Sequence, residues 1–204
     1  MMFIVFEGPK YTGKGLLVDK LYKELHNKYK VYFTKEPGGT PSGRVIRELL
    51  NDKSYKLNDK CIALLEAADR AQHCEKIQKL LDKDYTVISK GFKEYSFVNS
   101  GYVKGNSPLA YNLNHVATSG LKQDLTVLVI CDPKEAFTRF KDDSISKDEY
   151  VKSYRGYLEL YEEGINSGED WIILDTTDLT IDESFEFLME RFKPYMVNLV
   201  EKEK

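Results

Sequence analysis

Cysteine is scarce in this chain. Cys61, Cys74 and Cys131 are the only three in 204 residues. Their number is odd and no two form a Cys-x-x-Cys pair, which argues against a disulfide framework or a cysteine-built zinc site. Reduced thiols are the expected state. An excess of basic charge is also missing. The net charge of −3 and the pI of about 5.7 give no support for a dedicated nucleic-acid or membrane-surface protein. Neither nucleic acid nor membrane is therefore expected as a partner. No stretch approaches the ~18 consecutive apolar residues of a membrane span. The opening MMFIVFEG has a short apolar run with no cationic segment before it, unlike a secretory signal. The expected location is the cytoplasm, of a cell or of an infected host.

No repeat, low-complexity tract or Pro/Gly/Ser-rich linker divides the sequence. At 42% hydrophobic and 31% charged residues it reads as one globular domain, residues 1–204, with a full core.

Short apolar runs alternate with longer amphipathic ones. Phe3–Glu7 reads as a buried strand ending at Gly8, and Gly15–Tyr29 as a helix with Leu17, Leu21 and Leu25 at four-residue spacing. Lys30–Thr34 is a second strand, stopped by Pro37-Gly38-Gly39. Ser42 is the expected N-cap of a short helix through Leu50. Asn58–Leu81 is a long helix, Thr86–Ser89 a third strand and Leu109–Ser119 another helix. The apolar run Leu125–Ile130 suits a strand covered on both faces. Lys147–Glu163 (helix), Asp170–Leu174 (strand) and Ile181–Phe192 (helix) complete the chain. Strand-helix alternation predicts an α/β fold with a mainly parallel sheet.

Gly8-x4-Gly13-Lys14 has the spacing of a phosphate-binding loop. In such loops backbone N–H groups and the following helix N-terminus cradle phosphate oxygens. The bland alternative is a strand-to-helix turn with an exposed lysine. The next residue should be Ser or Thr, whose hydroxyl ligates Mg²⁺. Here Gly15 and then Leu16 follow.

Further segments recur in one known pattern. FIVFEG, Phe3 to Gly8, opens it. Thr34-Lys35-Glu36-Pro37-Gly38-Gly39-Thr40-Pro41 follows, and then Leu64-Leu65-Glu66-Ala67-Ala68-Asp69-Arg70-Ala71-Gln72-His73. Leu113-Asn114, Thr118, Gly120-Leu121-Lys122, Asp132-Pro133 and Gly156-Tyr157-Leu158 continue the series in the same order. Together these resemble the thymidylate kinases, P-loop nucleoside monophosphate kinases, over nearly the whole length. The resemblance implies a three-layer P-loop kinase fold, a five-stranded parallel sheet flanked by helices. It also implies a short lid near residues 140–150, ATP as the nucleotide and a homodimer.

The resemblance places nucleotide-phosphate contacts at Gly8, Gly13, Lys14 and Gly15. It places substrate contacts at Lys35, Arg47, Glu66, Asp69, Arg70, Ser96 and Ser100. Arg70 would hold the monophosphate, with Lys35 and Arg47 as further anion-binding candidates. Asp69 and Arg70 could equally be a solvated helix pair.

The chain departs from the family at the chemical centre. The family's acidic residue inside the loop is Lys10, either near the ligand or pointing to solvent. The Asp-Arg pair of its VICDRY motif is Lys90-Gly91. No arginine stands between Arg139 and Arg155, where family lids carry arginines that neutralise the transferred phosphoryl group. The base-stacking aromatic is Glu66, which cannot stack. The base-reading Gln is Ser100.

Two acidic positions turned to lysine should repel Mg²⁺ while still attracting phosphates. No metal ligand is therefore assigned, and Mg²⁺ binding is expected to be weak. Lys14, Lys90 and Lys10 remain the catalytic candidates. The expected function is a nucleotide- or phosphate-binding protein with weak or lost phosphoryl transfer. The alternatives are an active ATP-dependent kinase for dTMP or an altered pyrimidine monophosphate, and a non-catalytic dimeric regulatory or structural protein.

Overall fold

The computed structural model describes residues 1–139 and 145–202. Its centre is a sheet of five parallel strands: β1 (Phe3–Glu7), β2 (Val31–Lys35), β3 (Thr86–Lys90), β4 (Leu125–Ile130) and β5 (Trp171–Asp175). Their order is β2-β3-β1-β4-β5, with Phe3 opposite Val87 and Ile4 opposite Leu125. The helices are α1 (Lys14–Leu25), α2 (Pro41–Asn51), α3 (Asp59–Leu81), α4 (Lys93–Ser96), α5 (Ser107–Thr118), α6 (Pro133–Arg139), α7 (Lys147–Asn166) and α8 (Ile181–Met196). A single 3₁₀ turn, Lys53–Tyr55, and a π-helical turn, Phe97–Val103, fill two of the connections.

The sheet is buried on both faces because its strands are apolar at successive positions. In β1, Ile4 and Phe6 pack with α1 and α8 through Leu17, Leu21, Leu188 and Phe192. Phe3 and Val5 point the other way, onto Cys74 and Ile77 of α3 and onto Phe92. This is the period-2 alternation of a strand, with apolar residues on both sides. All four side chains are fully buried, each burial being worth roughly 2 kcal/mol.

Several boundaries differ from the sequence expectation. The N-cap of α2 is Thr40, not Ser42. The Thr40 hydroxyl accepts from Gly43 N, and Pro41 takes the first helical position, where its missing N–H costs nothing. Helix α1 stops at Leu25, four residues early, where the chain turns to enter β2. Helices α4 and α6 and the π-helical turn have no apolar periodicity to announce them. Both α7 and α8 open with a capping box, Ser146 with Glu149 and Thr180 with Glu183. Of the expected lid near 140–150, residues 140–144 lie outside the described residues, and 147–150 form the first turn of α7.

Candidate active site

The loop from Gly8 to Gly13 leaves the carboxyl end of the central strand, at the point where neighbouring connections diverge to β3 on one side and β4 on the other. Such switch points are where open α/β sheets bind ligands. Gly8 has φ of 135°, and a Cβ there would overlap the backbone oxygen of Val129. Only glycine fits this position. Gly13 caps α1 in a left-handed conformation, φ 81°, with no side chain bonded to the helix N-terminus. Those amides remain open to an anion. Lys14 Nζ donates to Gly8 O at 2.7 Å, folding the lysine back across the loop.

Behind the loop lies a carboxylate that sequence reasoning missed. Glu7 is buried. Its Oε1 accepts from Phe92 N at 2.7 Å and its Oε2 from the Tyr157 hydroxyl at 3.0 Å. Burial raises its pKa, opposed by the Lys14 charge. Burial likewise lowers the pKa of Lys14, and Lys90 lowers it further. A glutamate ending an otherwise apolar strand was the available signal.

Lys90 ends β3. Its Nζ lies 3.8 Å from the position a Cβ on Gly15 would take. The ammonium thus stands beside the residue where a P-loop hydroxyl would ligate the metal. Lys35 lies opposite Lys90 across the β2–β3 pairing. Its pKa is lowered, chiefly by Arg47, then by burial and by Lys90. Lys14, Lys35, Arg47 and Lys90 therefore form one cationic cluster at the strand ends. Lys10 is exposed, and so is Leu16.

At the P-loop position that would face a divalent ion the chain supplies no oxygen ligand from a side chain. Position 15 has no hydroxyl, and a cation stands next to it. No group of three or more His, Cys, Asp or Glu among the described residues could hold a metal. The open amides at Gly13 and the cationic cluster do fit a polyphosphate.

The acceptor-side residues form a buried network. Arg70 donates from Nε to Glu36 Oε2 at 2.8 Å, from Nη1 to Ser96 and Asn114, and from Nη2 to Phe92 O. Glu36 Oε1 pairs with His73 Nδ1 at 2.8 Å, and His73 Nε2 with the Thr34 hydroxyl. Asp69 accepts from Gly38 N, and burial raises its pKa. These two residues are thus not the solvated pair weighed from sequence. Protein groups take four of the five Arg70 donors, which leaves one Nη2 hydrogen. Arg47 likewise donates to Pro37 O at 3.0 Å.

A cavity of about 10 Å³ lies among Glu36, Pro37, Glu66, Asp69, Arg70, Phe92 and Tyr95. Glu66 is buried, its Oε2 has no hydrogen-bond partner among the described residues, and burial pushes its pKa up to about 7 against the pull of Arg70. Ser96 joins the network through Arg70. Ser100 is buried in the π-helical turn and does not line this cavity. A larger hollow of about 490 Å³, bounded by Phe97, Tyr102, Glu159 and Trp171 among others, touches none of the sequence-predicted residues.

The family model for thymidylate kinase matches residues 6–187. The chain is 32% identical over 203 residues to the thymidylate kinase of Finegoldia magna, covering 94% of this chain and 98% of that one. It is 34% identical over 198 residues to that of Maridesulfovibrio salexigens, covering 90% and 91%. With the Caldicellulosiruptor saccharolyticus enzyme it shares 36% over 168 residues, 78% of this chain and 82% of the other. A P-loop on the central strand of a five-stranded parallel sheet, matched across nearly the full length by these relatives, places the chain in the thymidylate kinase family.

Proposed function

We propose that this chain binds nucleotide phosphates at its P-loop and transfers phosphoryl groups weakly or not at all. The observation that carries this is the Lys90 ammonium beside Gly15. Phosphoryl transfer depends on positioning and on neutralising charge as it moves between oxygens, mostly by a metal ion. Here an ammonium stands beside the position of the metal-facing hydroxyl. It offsets ground-state phosphate charge but lacks the oxygen ligands that would anchor Mg²⁺. Residues 1–204 act as one domain. A cytoplasmic location goes with this chemistry.

A homodimer is part of the proposal. Exposed Val45, Leu64 and Val116 support it. They lie on α2, α3 and α5, which pack against one another through Gly43, Asp69, Arg70 and Asn114.

Calorimetric titration of ATP with and without Mg²⁺ tests the reading. The expected result is an affinity changed less than about threefold by the metal, a difference under 1 kcal/mol. A metal-dependent gain of a hundredfold would overturn it. Lys90→Asp with Gly91→Arg and Gly15→Ser should restore metal dependence.

A second reading is an active kinase for another monophosphate. The intact network of Arg70, Glu36 and His73 favours it. Robust ADP release with any common monophosphate would establish it over the first.

A further inference from the structure

Glu66 carries a buried carboxylate oxygen with no partner among the described residues, and it borders a cavity of about 10 Å³. A buried acceptor left unpaired costs on the order of 1–3 kcal/mol, more when charged. Such an atom in a native fold calls for an explanation. Arg70 faces the same cavity. A guanidinium has five N–H donors, and four hydrogen bonds from Arg70 are formed among the described residues, which leaves one Nη2 hydrogen. The cavity lining thus includes an acceptor without a partner among the described residues, Glu66 Oε2, and Arg70, which keeps one Nη2 hydrogen.

The cavity and the cationic cluster are joined through the chain at two of the lining residues, Glu36 and Phe92. Lys35 immediately precedes Glu36, and Lys90 lies two residues before Phe92. A nucleotide with its phosphate on those cations would present its base here. Size then decides which base edge fits. About one probe-sized group can enter a space of this volume. An exocyclic amine projects from its ring as a single N–H-bearing atom. An imide N–H is recessed between two carbonyl oxygens, and both would meet the carboxylate.

We infer that Glu66 selects a nucleoside monophosphate whose base carries an exocyclic amine beside a ring nitrogen, the cytosine and adenine class. The amine donates to Glu66 Oε2 and the ring nitrogen accepts from Arg70. This deepens the nucleotide-binding reading above and rests on it. The groups facing Glu66 are Arg70 and Asp69 from α3, Glu36 from the turn after β2, and Tyr95 and Ser96 from α4. Arg70 favours the ionised acceptor, whereas burial and the neighbouring acids oppose it. Amine recognition should accordingly strengthen from pH 6 to pH 8.

The test uses two pairs of monophosphates that differ by deamination alone, dCMP with dUMP and dAMP with dIMP. Binding is measured by calorimetry on the full chain at pH 6 and pH 8. The expected result is at least tenfold tighter binding of the amino member of one pair at pH 8. That margin should shrink at pH 6 and be lost in Glu66→Met. Glu66→Gln, which keeps an amide oxygen as acceptor, should retain part of the preference without its pH dependence. ATP affinity is measured in parallel and should be unchanged by either variant. Equal binding within both pairs, or a preference for dUMP and dIMP, overturns the inference and means the cavity holds a water only. ATP binding with no monophosphate binding also overturns it, while leaving the nucleotide-binding reading standing. Absence of ATP binding removes both. The wild-type ligand series decides the matter even if Glu66→Met fails to fold.

Discussion

The guanidinium of Arg70 and the carboxylate of Glu36 form an ion pair, Nε to Oε2 at 2.8 Å, with side chains only 3% and 4% exposed. The pair is buried with its remaining polar atoms bonded to His73, Ser96, Asn114 and Phe92 O, so it joins α3, α4, α5 and the turn after β2.

Removing one member leaves the other charged and buried. Glu36→Gln should cost about 3 kcal/mol, within the range for broken buried pairs. Urea unfolding followed by circular dichroism measures this. A loss below about 1 kcal/mol would mean that water reaches Arg70 and the network is not closed.

Gly8 is the backbone equivalent of that constraint. Gly8→Ala would place a Cβ against the Val129 carbonyl oxygen at φ 135°. We expect a loss of roughly 3 kcal/mol. For a chain of this length that lowers Tm by roughly 6–12 °C. ATP affinity should fall as well, because the loop is displaced from β4. A thermal melt with and without ATP reads both effects.

Gly43 of α2 packs on the Asp69 carboxylate, and a Cβ at Gly43 would overlap Asp69 Oδ1. Gly43→Ala should cost about 2 kcal/mol by overpacking. Asp69→Ala makes room but releases Gly38 N, so it should also destabilise alone. The two changes together should cost less than their sum. A double-mutant cycle in urea gives the coupling, and simple additivity would place the two residues further apart than described.

Glu66 should favour the fold at acid pH. The Glu66 carboxyl titrates near 4.5 when free and is pushed up to about 7 by burial. Between those values the folded chain holds the proton and the unfolded chain does not. Its contribution is present below about pH 4.5 and is lost as pH rises through 7. It amounts to about 3 kcal/mol. Burial shifts Glu7 in the same direction. Urea midpoints at pH 5 and pH 8 should differ in the wild type and converge partly in Glu66→Gln. A flat profile in the wild type would show that Glu66 is hydrated.

Strand and helix order, the P-loop and the placement of Lys90 next to Gly15 were legible in the sequence. The first two follow from local periodicity and glycine spacing. The third followed from which family positions had become lysine. Glu7 was not legible, because a charged residue ending a buried strand looks like a strand terminus. It is buried only because Phe92 and Tyr157, distant in sequence, supply donors. The protein partners of Arg70 were not legible either, because Glu36, Ser96 and Asn114 come to it from three separate segments. Helix α4 and the π-helical turn are too short or irregular for a periodic signal. Their shape comes from packing against α5 and α7.

The central strand also has a history during synthesis. Phe3 to Phe6 leave the ribosome well before their neighbours on the sheet, Val87 to Lys90 and Leu125 to Val127. At ~5–20 residues per second the nascent chain carries this unpaired apolar strand for several seconds or more. Its pairing is non-local, and loops must close before any contact rewards them. The strand that bears the nucleotide loop is thus made long before the strands that secure it. A truncated or stalled chain ending before β4 would expose it to aggregation.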